Sequence, residues 1–322
     1  MSRAAEEKKR RRLLRLIRTG IVCLTAFAVA LAFCIFPYRA LLPAAYIPAR
    51  GEGELRVHFL SVGQGDCTIV EFPSGKALVV DAGDGSFEAN DTIVSYIKGL
   101  DCSSLLLAVT HADIDHYGGA RELLRVFSFD CVYLPVLPSG APAYESFLDA
   151  VLKEGCARDT LVRYDAVEDA SGAYAVCISP HAAGETEENV SSVMLYVSYG
   201  GVNILLSGDA DAVRERAILS ELALSEDILD SGRLRVRLGE TDVLKVAHHG
   251  AASASCEEWL SMLSPAAAIV SCGAGNFYRH PAGETTARLA AVGAEIYRTD
   301  EQGHILLTVR DGTYTLQTHI GG

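Results

Sequence analysis

Thr110-His111-Ala112-Asp113-Ile114-Asp115-His116-Tyr117-Gly118-Gly119 places four potential metal ligands within six residues, directly after the apolar run Leu105–Val109. That run reads as a buried strand, so the ligand-rich segment begins at a strand end. His111 and Asp113 lie on one side of this end, the chain turns at Asp115-His116, and the glycine pair lets the backbone bend before a helix starts. The four side chains then converge on one point. A simple helix cap needs one Asp or Ser, and two His with two Asp exceed that need. Imidazole nitrogen with carboxylate oxygen suits Zn, Mn or Fe(II), whereas an all-oxygen set would suit Mg or Ca.

Further ligand candidates also follow apolar strands. Ile204-Leu205-Leu206-Ser207-Gly208 leads to Asp209, and Val243-Leu244-Lys245-Val246-Ala247 leads to His248-His249-Gly250. Ligands at strand ends gather at one edge of a sheet. Five of the nine histidines, His111, His116, His248, His249 and His280, fall in these segments and in the loop before Pro281. His58, His181, His304 and His319 read as structural or surface residues.

Around these segments, strand and helix signals alternate. Leu55–Leu60, Thr68–Phe72 and Ala77–Val80, separated by Gly-rich and Pro-Ser-Gly turns, predict antiparallel strands. Val193–Tyr199 and Val202–Leu206 flank Gly200-Gly201 as a hairpin. Asp242–Val246, Ala267–Ser271, Glu295–Tyr297 and His304–Val309 are further expected strands. Helical spacing marks Asn90–Leu100, Gly118–Phe127, Asp211–Asp230, Cys256–Leu263 and Ala282–Val292. This order predicts an α/β domain with sheets packed face to face and helices outside.

The chain of 322 residues, 49% hydrophobic, can bury one large core. Its charge is unevenly spread. Residues 1–18 carry eight Lys or Arg against Glu6 and Glu7, a balance of +6; as the whole chain carries −13, the remainder carries −19. The uncharged stretch 19–38 follows this basic flank. Such a pattern predicts a cytoplasmic tail over 1–18, a single transmembrane anchor over 19–38, a linker over 39–54 and a domain over 55–322 on the extracytoplasmic side. A cleaved signal peptide is the alternative, but the apolar stretch exceeds an ordinary h-region and lacks a clean A-x-A site. Seven cysteines in the body, without a C-x-x-C pair, signal neither a disulfide framework nor a zinc ribbon.

Six segments in order carry a family resemblance. They are Phe59-Leu60-Ser61-Val62-Gly63-Gln64-Gly65-Asp66, Val79-Val80-Asp81-Ala82-Gly83, the His111 to Gly119 motif, Leu206-Ser207-Gly208-Asp209, Lys245-Val246-Ala247-His248-His249-Gly250, and Gly275-Asn276-Phe277-Tyr278-Arg279-His280-Pro281. From about Leu55 to Ile320 the chain resembles the metallo-β-lactamase superfamily, and within it the hydrolase domain of ComEC competence proteins. The resemblance implies an αββα sandwich with one or two divalent metal ions, Zn or Mn, along one edge of its sheets.

Residue by residue, the resemblance implies a first site at His111 and Asp113 and a second at Asp115, His116, Asp209 and His248, with Asp209 bridging. His249 is the alternative to His248. Asp113 stands where the superfamily motif has His, and Asn189 and Ser192 occupy the region of the usual third His. The first site is therefore expected to bind more weakly than the second. Asp115 is expected to orient an attacking water as well as bind metal. His280 is expected to protonate a leaving group or hold a phosphate oxygen; a structural His-Pro turn is the other reading. Asp66 and Asp81 are expected to support the ligands, with direct metal binding the lesser option.

The implied activity is hydrolysis of a phosphodiester, as in a nuclease, or of another small ester. A charge of −19 on the body disfavours nonspecific DNA binding, which needs clustered Lys and Arg. A lactone or ester hydrolase and a non-catalytic metal-binding accessory module are the competing classes.

Overall fold

The computed structural model describes residues 3–35, 44–180, 189–222, 229–230 and 234–319. It divides into two units, Met1–Leu42 and Pro43–Gly322. The first is a helix, Arg3–Ile35, of which Arg10–Leu31 is long and apolar enough to cross a membrane. The helix runs through both the basic tail and the apolar stretch, because Lys, Arg, Glu and Leu are strong helix formers. Twenty-two residues at 1.5 Å rise reach about 33 Å, which matches a bilayer core. Residues 36–38 of the expected span, residues 39–43 of the linker and His181 lie outside the described residues.

The second unit holds two stacked sheets. One has eight strands in the order Thr313–Thr318, Ile305–Arg310, Leu55–Phe59, Thr68–Glu71, Lys76–Val80, Ser104–Ala108, Cys131–Leu134, Ala157–Thr160. The other has seven, in the order Glu295–Arg298, Ala267–Val270, Val243–Lys245, Val202–Leu206, Met194–Tyr199, Tyr174–Ser179, Ala166–Glu168. Period-two alternation builds the core between them: Leu55, Val57, Phe59, Val70 and Leu78 meet Leu195, Val197, Ile204 and Leu206. Each such side chain contributes about 1.5–3 kcal/mol on burial.

Helices cover the outer faces. Over the second sheet, Leu205, Leu244, Val246 and Val270 pack with Trp259, Leu260 and Leu263 of helix Glu257–Leu263 and with Leu289 of helix Gly283–Ala291. Over the first, helix Phe87–Gly99 buries Ile93, Val94, Tyr96 and Ile97. The layers are therefore helix, sheet, sheet, helix, as the αββα expectation has it. The helix expected over Asp211–Asp230 is shorter: it runs Ala212–Leu222, and Leu229–Asp230 instead pairs with Arg235–Val236.

Two parallel pairs position the site. Lys76–Val80 runs parallel to Ser104–Ala108, with Val80 opposite Ala108, and Val202–Leu206 runs parallel to Val243–Lys245, with Leu206 opposite Lys245. Parallel neighbours present their carboxyl ends side by side. The segments leaving these four strands carry Asp81, His111 to His116, Asp209 and His248-His249. A hydrogen bond from Val193 N to Thr110 O, 2.9 Å, ties the two sheets together at this edge.

Candidate metal centre

The backbone at the strand ends is bent to aim side chains inward. Asp81, His248 and His249 adopt left-handed conformations, at φ 64°, 50° and 53°. Each such non-glycine residue costs about 1–3 kcal/mol and is retained where the surroundings hold it. Gly118 and Gly119 abut Ala82 and Asp84 so closely that a Cβ on either would collide with that backbone. The glycine pair is thus needed for loop-on-loop contact, and it seats the His111–His116 turn against the Asp81 loop.

Three imidazoles, those of His111, His116 and His249, turn Nε2 toward the same small region. Asp81 organises two of them. Its Oδ2 accepts from Thr110 Oγ1 at 2.9 Å and from His116 Nδ1 at 2.8 Å, and its Oδ1 accepts from Thr110 N at 2.8 Å. Thr110 has one hydroxyl proton, given to Asp81, so toward His111 Nδ1 at 3.1 Å it accepts. His249 Nδ1 likewise lies 3.1 Å from Ser271 O, which can only accept. All three rings have therefore committed their Nδ1–H.

The Nε2 atoms face carboxylates. His116 Nε2 lies 3.3 Å from Asp209 Oδ1 and 3.9 Å from Asp115 Oδ1; His249 Nε2 lies 3.2 Å from Asp115 Oδ2 and 3.7 Å from Asp209 Oδ2. His111 Nε2, His116 Nε2 and Asp209 Oδ1 are buried and have no hydrogen-bond partner. Ligand atoms of His111, His116 and Asp209 fall within 4.8 Å of one another, as do those of Asp115, His116 and His249. Imidazole nitrogens and carboxylate oxygens converging with buried atoms left unpartnered fit a divalent cation, and the mixed nitrogen–oxygen set suits Zn or Mn.

The same geometry governs protonation. Burial opposes charge on His116, but Asp209 and Asp81 outweigh it and lift the pKa well above the ordinary imidazole value. For His249, burial is again outweighed, here by Asp209, Asp66 and Asp115, and the pKa rises. Burial pushes His111 down to about 4, and the His116 charge adds to the shift. Burial would raise Asp209, yet His116 and His249 hold it well below the carboxylate range.

The other expected residues take distinct places. Asp113 is exposed and caps helix Ile114–Tyr117, its carboxylate accepting from Ile114 N at 2.7 Å. Among the described residues, neither Asp113 nor His248 joins a three-residue ligand group. His248 Nε2 stands 3.7 Å from Asp209 Oδ2, and its Nδ1 is 3.4 Å from Asn189 Nδ2. Ser192 Oγ accepts from Asp209 N at 3.0 Å, which fixes the backbone that carries this carboxylate. Asp66, buried, forms an ion pair with buried Lys245 and lies 3.7 Å from His249 Nδ1. Lys245 and Thr110 were not singled out by the sequence reading, although a lone charge inside the strand Val243–Lys245 is a usable signal.

An open cavity of about 360 Å³ lies over the cluster, lined by Asp115, Asp209, His248, His249 and His280 together with Gln64, Asp84, Asp113, Ile114 and Tyr278. Gln64 fixes the His280 tautomer. Its Oε1 accepts from Gly273 N at 3.2 Å, so its Nε2 donates to His280 Nδ1 at 3.4 Å, leaving the ring proton on Nε2. Asn276 holds the same loop, accepting from His280 N at 2.9 Å and donating to His280 O at 2.6 Å.

Residues 60–137 match the family model described as the metallo-beta-lactamase superfamily. Among curated proteins the chain is similar to ComE operon protein 3 of Bacillus subtilis (strain 168), 27% identical over 326 aligned positions that cover 96% of this chain and 38% of that protein. Recombination protein 2 of Haemophilus influenzae is 28% identical over 255, covering 78% and 28%. Competence protein ComA of Neisseria gonorrhoeae is 26% identical over 274, covering 83% and 35%. The chain spans about a third of the length of these relatives. Two stacked sheets with helices outside and a His/Asp cluster at the strand ends give this chain the metallo-β-lactamase fold, and its curated relatives are ComEC-like competence proteins.

Proposed function

We propose that the domain is a metal-dependent hydrolase of phosphodiester bonds, anchored by the helix Arg3–Ile35 with its catalytic domain on the extracytoplasmic side. One observation carries this reading: the buried, unpartnered atoms His111 Nε2, His116 Nε2 and Asp209 Oδ1 beneath an open cavity. His111, His116 and Asp209, with Asp115 and His249, would hold the cation; His248 is close enough to Asp209 to join them. When bound, a divalent cation supplies Lewis acidity toward a phosphoryl oxygen and makes water nucleophilic near neutral pH.

The chain's own groups divide the remaining work. Asp81 and Ser271 keep the imidazoles in the tautomer that aims Nε2 inward. Asp115, half-exposed at the cavity floor, is the carboxylate placed to orient a water toward substrate. His280 has its pKa lowered, chiefly by burial and then by the charges of His249 and His248, so it is neutral near pH 7. His280 lines the cavity, and its Nε2–H is the donor it would offer to a phosphate or leaving-group oxygen. The basic N-terminal flank supports the assigned orientation, and the acidic body supports a short substrate over long nucleic acid.

Hydrolysis of bis(p-nitrophenyl) phosphate with added Mn or Zn tests the reading. Asp209→Ala is expected to abolish both metal binding and turnover while the fold persists, and His280→Ala to lower turnover at full metal content. A wild type inert with every divalent metal would refute hydrolysis. Protease treatment of intact cells tests the orientation: the body is expected to be cut.

A further inference from the structure

The loop that carries His280 also carries two of the most exposed large apolar side chains of the domain. Phe277 is 94% exposed and Tyr278 66% exposed, and Tyr278 lines the cavity over the His/Asp cluster. Most solvent-facing aromatics sit singly and need no account. These two are adjacent, on a loop whose backbone Asn276 ties down at Gly273 and His280. A rigid loop holding aromatics in water preserves their orientation.

That orientation is ordered. The rings of His249 and His280 stack with centroids 6.2 Å apart and planes 18° apart, and those of His280 and Tyr278 with 5.7 Å and 25°. The stack thus runs from the buried cluster outward through the cavity wall and ends at Tyr278. Phe277 meets Tyr278 edge to face at 82°, a side wall beside the stack. Tyr278, 66% exposed, is the outermost ring of this stack. A phosphate placed at the His/Asp cluster leaves the next group of a nucleotide at this end. The acidic body disfavours a long polyanion, which limits the substrate to a short one.

We propose that Tyr278 and Phe277 form a base-stacking subsite, so that the substrate is a nucleotide phosphodiester with its base stacked on Tyr278. This rests on the phosphodiesterase reading, and deepens it by naming the group next to the scissile phosphate. Base–aromatic stacking tolerates every base, because each has a π-face. Selection is for the presence of a base, not for its identity.

Isothermal titration of the full Mn-loaded chain with thymidine 5′-monophosphate and with 2-deoxyribose 5-phosphate, which lacks only the base, tests this. The nucleotide is expected to bind about tenfold more tightly, the loss on removing one stack. Tyr278→Ala should erase that ratio and Tyr278→Trp should retain it, and each variant's melting temperature controls for folding. Equal affinities in the wild type, no binding of either compound, or a ratio indifferent to Tyr278→Ala would each overturn the subsite. Turnover of bis(p-nitrophenyl) phosphate in the same samples separates the two ideas. Discrimination without hydrolysis keeps the subsite and defeats the hydrolase; hydrolysis without discrimination does the reverse.

Discussion

Two buried polar clusters adjoin the first sheet, the second of them shared with the other sheet, and they are finished differently. On its outer face, Glu71 is fully buried and receives Arg56 at 2.5 and 2.7 Å, Arg50 at 3.0 Å and His58 at 3.2 Å, while His58 Nδ1 meets Tyr96 Oη at 3.1 Å. At the strand ends the equally buried Asp209 and the partly exposed Asp115 have imidazoles as partners, His116 Nε2 at 3.3 Å and His249 Nε2 at 3.2 Å. The first cluster balances its own charge with groups the chain supplies. The second pairs its carboxylates with imidazoles, whose protons a cation can replace. Burial alone does not mark function here; a partner that can give up its proton does.

Removing one member from each cluster should therefore have different effects. Glu71→Ala leaves Arg56 buried without its carboxylate and should cost about 3–5 kcal/mol of stability in denaturant titrations. Metal content per folded molecule should be unchanged; a parallel loss of metal would erase the contrast. The closed cluster also sets an acid limit. Burial would raise Glu71, but His58 and Arg56 outweigh it and lower its pKa; its stabilisation is present above the ordinary carboxylate range and is lost as pH falls through the folded value. His58, lowered by burial, adds to the acid loss, since the unfolded ring binds a proton the folded ring refuses.

Asp81→Asn keeps the shape of the open cluster but weakens its hold on His116 and Thr110. Metal affinity should fall about 10–100-fold by competition with a chromophoric chelator, the usual scale for an outer partner of a ligating His. A smaller effect is thermochemical. A cation must displace the protons that Asp209 and Asp115 draw onto His116 and His249, so binding should release protons and tighten as pH rises. Titrations in buffers of different ionisation enthalpy would reveal this, and an affinity flat with pH would contradict it.

Much of this was readable in the linear chain because strands announce themselves as short apolar runs and the ligands follow them directly. His111, His116 and Asp209 stand out on that basis, whereas Asp81 stands out only through the family resemblance. Spacing alone leaves two points open. Asp113 has the position of a ligand, yet its carboxylate is used by Ile114 N. Which of His248 and His249 points inward depends on two consecutive left-handed residues, which no periodicity encodes. Long-range partners were invisible for another reason: Lys245 and Asp66 are separated by 179 positions, and the buried strand Leu55–Phe59 hides Arg56 and His58 under a helix rather than exposing them to water.

The ligand loops come from opposite layers: His111, Asp115 and His116 leave the first sheet, Asp209 and His249 the second. A cation shared between them would be a rivet through the sandwich. Its binding energy adds directly to the work of prying the layers apart, growing with the logarithm of free metal. The lifetime of the folded domain would then follow the local supply of its metal.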